Sequence, residues 1–158
     1  MATSSSIDSK VAEFAGQLFF RLRRASHTRI SEALESIGLT PALFGLLNVL
    51  GAREGSIQQE LGSAMGIDRS TMVLLVDELE AKRLAKRRPH PMDRRAREVA
   101  ITAKGRQHLQ RGRRMATQVE DEVLRGLTAA ERRELLRLLR SALSAVPPES
   151  PWRAEEGD

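Results

Sequence analysis

A glycine at position 66 followed two residues later by an aspartate is the punctuation that most constrains this chain. The stretch before it is short and apolar on one side (Leu61, Ala64, Met65). Glycine takes a left-handed backbone without a steric penalty, so Gly66 can stop that helix within one residue. Ile67 then points inward, and Asp68 stands where a carboxylate caps a new helix. The new helix repeats apolar residues at steps of three and four, with Met72, Leu75, Val76 and Leu79 as its core face. It begins with polar residues, Arg69, Ser70 and Thr71. A short helix, a glycine turn and a second helix with a polar start form a helix-turn-helix.

Upstream, Ile7, Val11, Phe14, Leu18, Leu22 and Ala25 define one stripe of a long first helix, which Ala33, Leu34 and Ile37 resume before Gly38 stops it. A helix of that length has more apolar face than a small domain can cover, so part of it is expected to meet a partner chain. Thr40-Pro41 is a cap followed by a proline at the first helical position. Leu43, Phe44, Leu46, Leu47, Val49 and Leu50 then make a nearly all-buried second helix, and Ser56 to Gln59 reads as a capping box for the third.

Downstream of Leu84 the period changes. Lys86 and Arg88 alternate with Ala85 and Arg87 up to Pro89, and Arg97 to Ile101 alternates on the return, as in a β-hairpin. The segment between them, His90 to Arg95, is too rich in proline and charge to be strand. Thr102 caps a fifth helix with Leu109, Met115, Val119 and Val123 along one side, and Thr128-Ala129-Ala130-Glu131 is a capping box for a sixth. That helix carries Leu135, Leu136, Leu138, Leu139, Ala142 and Leu143 until Pro147-Pro148 stops it. The remainder is acidic and proline-bearing, and is expected to be disordered, with Trp152 loose.

The hairpin lies within a strongly cationic segment. Thirteen of the 26 Lys and Arg fall between Lys82 and Arg114, against two acids, Asp93 and Glu98. The rest of the chain is net acidic, so the field of that segment is local and suited to a polyanion. The absence of cysteine excludes thiol redox sensing, thiolate zinc sites and disulfides. Aromatics are 3% of the chain, too few for base-stacking platforms. No segment resembles a signal peptide, and the longest aliphatic run, Met72 to Val76, is too short for a membrane span. A cytoplasmic protein is expected.

The order helix, helix, helix-turn-helix, basic hairpin and two further helices resembles the MarR (multiple antibiotic resistance regulator) family. The resemblance is carried by Gly66 to Thr71, by Leu75-Val76-Asp77-x-Leu79-Glu80, and above all by Asp93-Arg94-Arg95-Ala96 through Ile101-Thr102-x-x-Gly105. It implies a mainly α fold, a winged helix-turn-helix with a small β-hairpin wing and terminal dimerisation helices. The corresponding divisions are an N-terminal dimerisation helix over 1–37, a DNA-binding lobe over 38–102, C-terminal dimerisation helices over 103–146 and a tail over 147–158. The resemblance also implies that Arg95 enters a minor groove with Asp93 orienting it, while Arg94 and Arg97 rest on phosphates. Arg69, Ser70 and Thr71 are candidates for base or phosphate contacts, although for Asp68 and Ser70 helix capping is the favoured role. Gln58 is a candidate phosphate donor from the start of the third helix. Lys86, Arg87 and Arg88 extend the footprint, some of them only covering an exposed sheet. At Val73 and Leu74 the chain has aliphatics where relatives often carry Thr and Arg, which removes a potential guanine-reading side chain.

An enzyme is disfavoured. The chain has no phosphate-cradling glycine loop, no Cys and no Tyr, and His27, His90 and His108 lie apart without a carboxylate at dyad or metal spacing. No cofactor is implied. The reading is a homodimeric, sequence-specific regulator of transcription, acting on a near-palindromic operator in double-stranded DNA as a repressor released by a small molecule. The alternative is a non-specific DNA- or RNA-coating protein without ligand response. Arg23 and His27 on the first helix, Phe44 and Leu47 on the second and Met115 on the fifth are the candidate effector pocket. An apolar cleft with one or two cations suits a small aromatic acid.

Overall fold

The structure, a computed structural model, describes residues 14–53, 55–90, 92 and 96–145. Helices α1 (Ala15–Glu35) and α2 (Pro41–Ala52) lead into strand β1 (Ser56–Ile57) and helices α3 (Gln58–Met65) and α4 (Arg69–Ala81). Strands β2 (Ala85–Pro89) and β3 (Arg97–Ile101) follow, then helices α5 (Ala103–Val123) and α6 (Ala129–Ser144). The three strands form one antiparallel sheet in the order β1-β3-β2, with Ser56 opposite Val99 and Pro89 opposite Arg97. Among the described residues, no helix is long and apolar enough to cross a membrane. Ile7 and Val11 of the first-helix stripe, the hairpin-loop residues Asp93, Arg94 and Arg95, and the segment from Val146 to Asp158 lie outside the described residues.

Short-range caps set most of the helix starts. The Leu43 N–H donates to Thr40 Oγ1 at 3.2 Å, with Pro41 at the first helical position. Thr128 and Glu131 form the expected reciprocal pair: the Glu131 carboxylate accepts from the Thr128 N–H at 2.7 Å, and the Glu131 N–H donates to Thr128 Oγ1 at 3.3 Å. The start of α3 differs from the sequence reading. Ser56 is drawn into β1 by pairing with Val99, so the cap position falls on Ile57, which has no side-chain acceptor. Glu60, rather than Gln59, then stands three residues into the helix and reaches back to the Ile57 N–H at 3.3 Å.

Helix α2 is the post around which the lobe is packed. Its Leu43, Leu46, Leu47 and Leu50 are fully buried against Leu61 and Met65 of α3 and Met72, Val76 and Leu79 of α4. Burying one leucine contributes about 1.5–3 kcal/mol, so four on one short helix make it the largest apolar contribution among these elements. Gly66 is left-handed, with φ +57°, and the Ile67 N–H closes the turn onto the Gly62 carbonyl at 2.9 Å. The α3–α4 turn is therefore the one expected from sequence.

The sheet is joined to α5 by a compact knot. Thr102 Oγ1 donates to the Arg83 and Leu84 carbonyls (2.8 and 3.1 Å) and accepts from the Gly105 N–H at 2.9 Å. The Thr102 N–H also donates to the Leu84 carbonyl, at 3.0 Å. The first turn of α5 lies so close to that carbonyl that a Cβ on Gly105 would collide with it and with the Ile101 side chain. Close approach thus explains the glycine three residues after Thr102.

The terminal helices leave apolar surface open. Phe14 is 72% exposed and Leu18 and Leu22 are exposed with it, while no residue of α6 is buried and Leu143 is 66% exposed. Helix α1 packs along α5, and α6 is held to the end of α5 by Arg132 on Asp121.

Gly105→Ala is expected to destabilise the fold by about 1–3 kcal/mol, the usual cost of overpacking against groups that cannot yield. Urea unfolding measures it, and an unchanged midpoint would contradict the close-approach account.

Candidate nucleic-acid interface

Asp68 organises the start of α4. Its carboxylate accepts the Ser70 hydroxyl, the Thr71 hydroxyl at 2.6 Å and the Thr71 N–H at 3.0 Å. The Ser70 hydroxyl, then the Thr71 hydroxyl and the Thr71 N–H, hold the Asp68 carboxyl far below the usual carboxylate range. Both hydroxyl protons are thereby committed to the cap, and the two oxygens keep only lone pairs for another molecule. Ser70 and Thr71 can accept a hydrogen bond from a base or a water, but in this arrangement they have no proton to donate to a phosphate.

Beyond the cap, Arg69, Ser70, Val73 and Leu74 face outward, and with Asp68 they line a shallow concavity. Leu74 is 69% exposed. Met72, Val76 and Leu79 take the core on the opposite side, so Val73 and Leu74 are aliphatics placed off the core stripe. That departure from the stripe was visible in the sequence as a loss of polar residues, and the structure adds that both side chains meet solvent.

The hairpin is tied to α4 through Arg87. Its guanidinium meets Asp77 at 2.6 Å and also Glu80, its backbone N–H donates to Glu80 at 2.6 Å, and its Nε donates to Gln58 Oε1 at 3.3 Å. Burial disfavours the charged guanidinium, but Asp77 and Glu80 outweigh it and raise the Arg87 pKa above its ordinary value. Gln58 is consequently part of this frame: its Oε1 faces Arg87, and its Nε2 is buried without a hydrogen-bond partner among the described residues. Arg88 pairs across the hairpin with Glu98, a buried carboxylate.

Lys86 and Arg97 are exposed on the hairpin and Arg69 on α4, and none of the three has an ion pair among the described residues. The hairpin ladder continues to its loop through the His90 N–H, which donates to the Ala96 carbonyl at 3.0 Å. Asp93, Arg94 and Arg95 lie outside the described residues.

The candidate pocket residues are not brought together as one lining. Arg23 and His27 sit on the exposed side of α1, and Phe44 and Met115 are half-buried. Phe44 lies against Gly112 of α5, where a Cβ would strike its ring, one turn before Met115. Leu47 is fully buried among the core leucines and presents no surface to a cleft.

A helix-turn-helix whose second helix is exposed along its polar start, flanked by a cation-bearing hairpin, defines the winged helix-turn-helix class of DNA-binding folds. Residues 37–96 match the model of the MarR family. A protein of Thauera aromatica described as a transcriptional regulatory protein for the hcr operon is 35% identical over 130 residues, 80% of this chain and 78% of that one. The transcriptional repressor CouR, solved bound to a 23-mer DNA duplex, is 31% identical with a TM-score of 0.74, over 85% of this chain and 95% of that one. BpsR of Bordetella bronchiseptica, solved to explain regulation of its DNA binding by 6-hydroxynicotinic acid, is 27% identical with a TM-score of 0.71, over 85% and 96%. The chain belongs to the MarR family of transcription regulators.

Two outcomes are expected from these contacts. Arg87→Met, which leaves Asp77 and Glu80 without their cation, should cost about 1–3 kcal/mol in urea unfolding. The same change at the exposed Arg137, paired with Glu134 on α6, should be silent; equal effects would contradict the tie. The Asp68 cap has a depressed carboxyl pKa, so its stabilisation is complete above the unfolded value of about 3.9 and fades as pH falls below it. Asp68→Asn should therefore weaken the loss of stability between about pH 4 and pH 2. An unchanged acid limb would show that the carboxylate charge is not what holds the cap.

Proposed function

We propose that the protein is a homodimeric, sequence-specific DNA-binding regulator, a repressor released by a small aromatic acid. The observation that carries it is the exposed cations Arg69, Lys86 and Arg97, without ion pairs among the described residues and set on the outer helix and the hairpin of a winged fold. A solvated basic surface would not need them on these two elements. The DNA-bound repressor among its relatives supports the same reading.

In this reading the lobe over 38–102 reads DNA, and the helices within 1–37 and 103–146 dimerise. The open faces of α1 and α6 support that division, because Phe14, Leu18, Leu138 and Leu143 are apolar and exposed among the described residues. A two-fold dimer presents its α4 helices to successive major grooves ~34–36 Å apart, which calls for a near-palindromic operator. Arg95 is assigned to the minor groove, with Asp93 orienting it, and Arg94 and Arg97 are assigned to phosphates. The effector is proposed to bind on the α1 and α5 side of the lobe, near Phe44 and Met115, with Arg23 and His27 as exposed residues of α1 that it would have to draw in. The regulation of BpsR by 6-hydroxynicotinic acid supports an aromatic acid as the effector. It acts by binding the DNA-incompetent spacing of the lobes more tightly, since only differential affinity shifts a population.

Sedimentation at micromolar concentration should give a dimer burying more than ~2,000 Å² in total; a folded monomer would end the dimer reading. Arg95→Ala should cost about 1–3 kcal/mol in operator binding and relax preference for A·T-rich flanks. Arg97→Ala should weaken all sequences alike and lower the salt slope by roughly one unit. Arg95→Ala with wild-type affinity and flank preference would remove the wing as a reader. Aromatic carboxylates titrated into the protein–DNA complex should release DNA, and no release across a broad panel would remove the effector.

A further inference from the structure

We propose that α4 reads its operator through the C5-methyl groups of thymine, with Val73 and Leu74 as the reading side chains. This rests on the DNA-binding reading above and names what the recognition helix recognises. The first support is placement. Leu74 and Val73 are exposed on the outer face of α4 and share a concavity with Arg69 and Ser70, at the N-terminal half of the helix that a helix-turn-helix presents to base edges. Single exposed aliphatics are ordinary on protein surfaces. Two adjacent ones beside an arginine without an ion pair among the described residues, on the helix proposed to face DNA, are not a scattered background.

The second support is the hydrogen-bonding inventory of the same face. Guanine presents only acceptors, O6 and N7, to a protein in the major groove, so reading it takes donors. The Ser70 and Thr71 protons are spent on Asp68, and Asp77 is spent on Arg87. Arg69 remains as the donor of this face with no partner among the described residues. The two hydroxyl oxygens can accept from adenine N6 or cytosine N4. What the face offers in addition is aliphatic surface, and the apolar feature of the major-groove edge is the thymine methyl. Leu74 and Val73 would each cover a methyl that cytosine lacks, turning T·A against C·G into a difference in buried apolar area.

The cationic hairpin beside α4 argues for DNA over protein as the occupant. Lys86 and Arg97, on the hairpin whose first strand is tied to α4, are exposed without ion pairs among the described residues, a charge complement to phosphates. A second copy of this chain would bring the same cations against themselves.

The test uses the full chain. A binding duplex is selected from random sequence, and each thymine is replaced in turn by deoxyuridine, which deletes the methyl and keeps every hydrogen-bonding group. At one or more positions in each half-site the affinity should fall about fourfold per methyl, the equivalent of one buried methyl group. Leu74→Ala or Val73→Ala should bind the thymine duplex more weakly and lose the deoxyuridine penalty at its own position, so that the two changes are not additive. Both variants should melt with the wild type, because neither side chain is in the core. A selected duplex indifferent to deoxyuridine at every position, or a penalty unchanged in both variants, overturns methyl reading while leaving sequence-specific binding intact. Failure to enrich any duplex over bulk DNA overturns both. A change of oligomeric state in Leu74→Ala would make the patch a protein contact and overturn the proposal.

Discussion

Arg87 joins three elements of the lobe: α3, α4 and the hairpin. Its side chain lies between two carboxylates one turn apart on α4, reaches Gln58 on α3, and belongs to the first strand of the hairpin. Asp77 and Glu80 can be bridged by one planar guanidinium only if β2 runs close beside the C-terminal half of α4, so the pair fixes the root of the hairpin relative to the helix. The Thr102–Leu84–Gly105 knot fixes the other root against α5. With both roots held and α2 filling the interior, helix and hairpin have little freedom to move against each other. On the proposed mechanism an effector would therefore act on the spacing of whole lobes, through α1 and α5, and leave the reading surface itself unchanged.

The cationic segment that dominates the sequence is thus divided in its use. Arg87 and Arg88 are engaged by carboxylates, Lys82 meets Glu78 at 3.5 Å, and Lys104 donates to the Lys82 carbonyl at 2.9 Å. Arg113 is bound to Asn48 of α2 at 2.9 Å. These side chains build the lobe. Lys86 and Arg97, and with them the exposed Arg83, Arg106, Arg111 and Arg114, have no ion pair among the described residues and contribute to the outward field. A count of charges along the chain overstates the footprint on DNA, because it cannot separate cations that pair internally from those that face solvent.

Where structure follows from neighbours in sequence, the reading was nearly complete. Thr40-Pro41, Asp68, Thr102 and Thr128 cap within three residues, and Gly66 turns within one, so their elements start and stop where the sequence places them. What was missed depends on partners distant in the chain. Ser56 and Ile57 become strand only because Val99 and Glu98 pair with them, which displaced the expected capping box. Arg87 looked like one more surface cation, and only the crossing of β2 and α4 reveals its two carboxylates. Leu47 stands on a helix that is apolar all round, and periodicity cannot tell which of its leucines is innermost. Val73 and Leu74 stand in the sequence as a loss of polar groups, and only the fold reveals that both meet solvent.

The central claim is that this surface reads sequence, which non-specific electrostatics would not do. The most direct measurement is the ratio of affinities of the full chain for a near-palindromic duplex selected from random sequence and for bulk DNA, at physiological salt. The account predicts a ratio of about 10³ or more, as for sequence-specific binders. A ratio near one at every salt concentration would show that the cations only coat DNA, and would contradict the account.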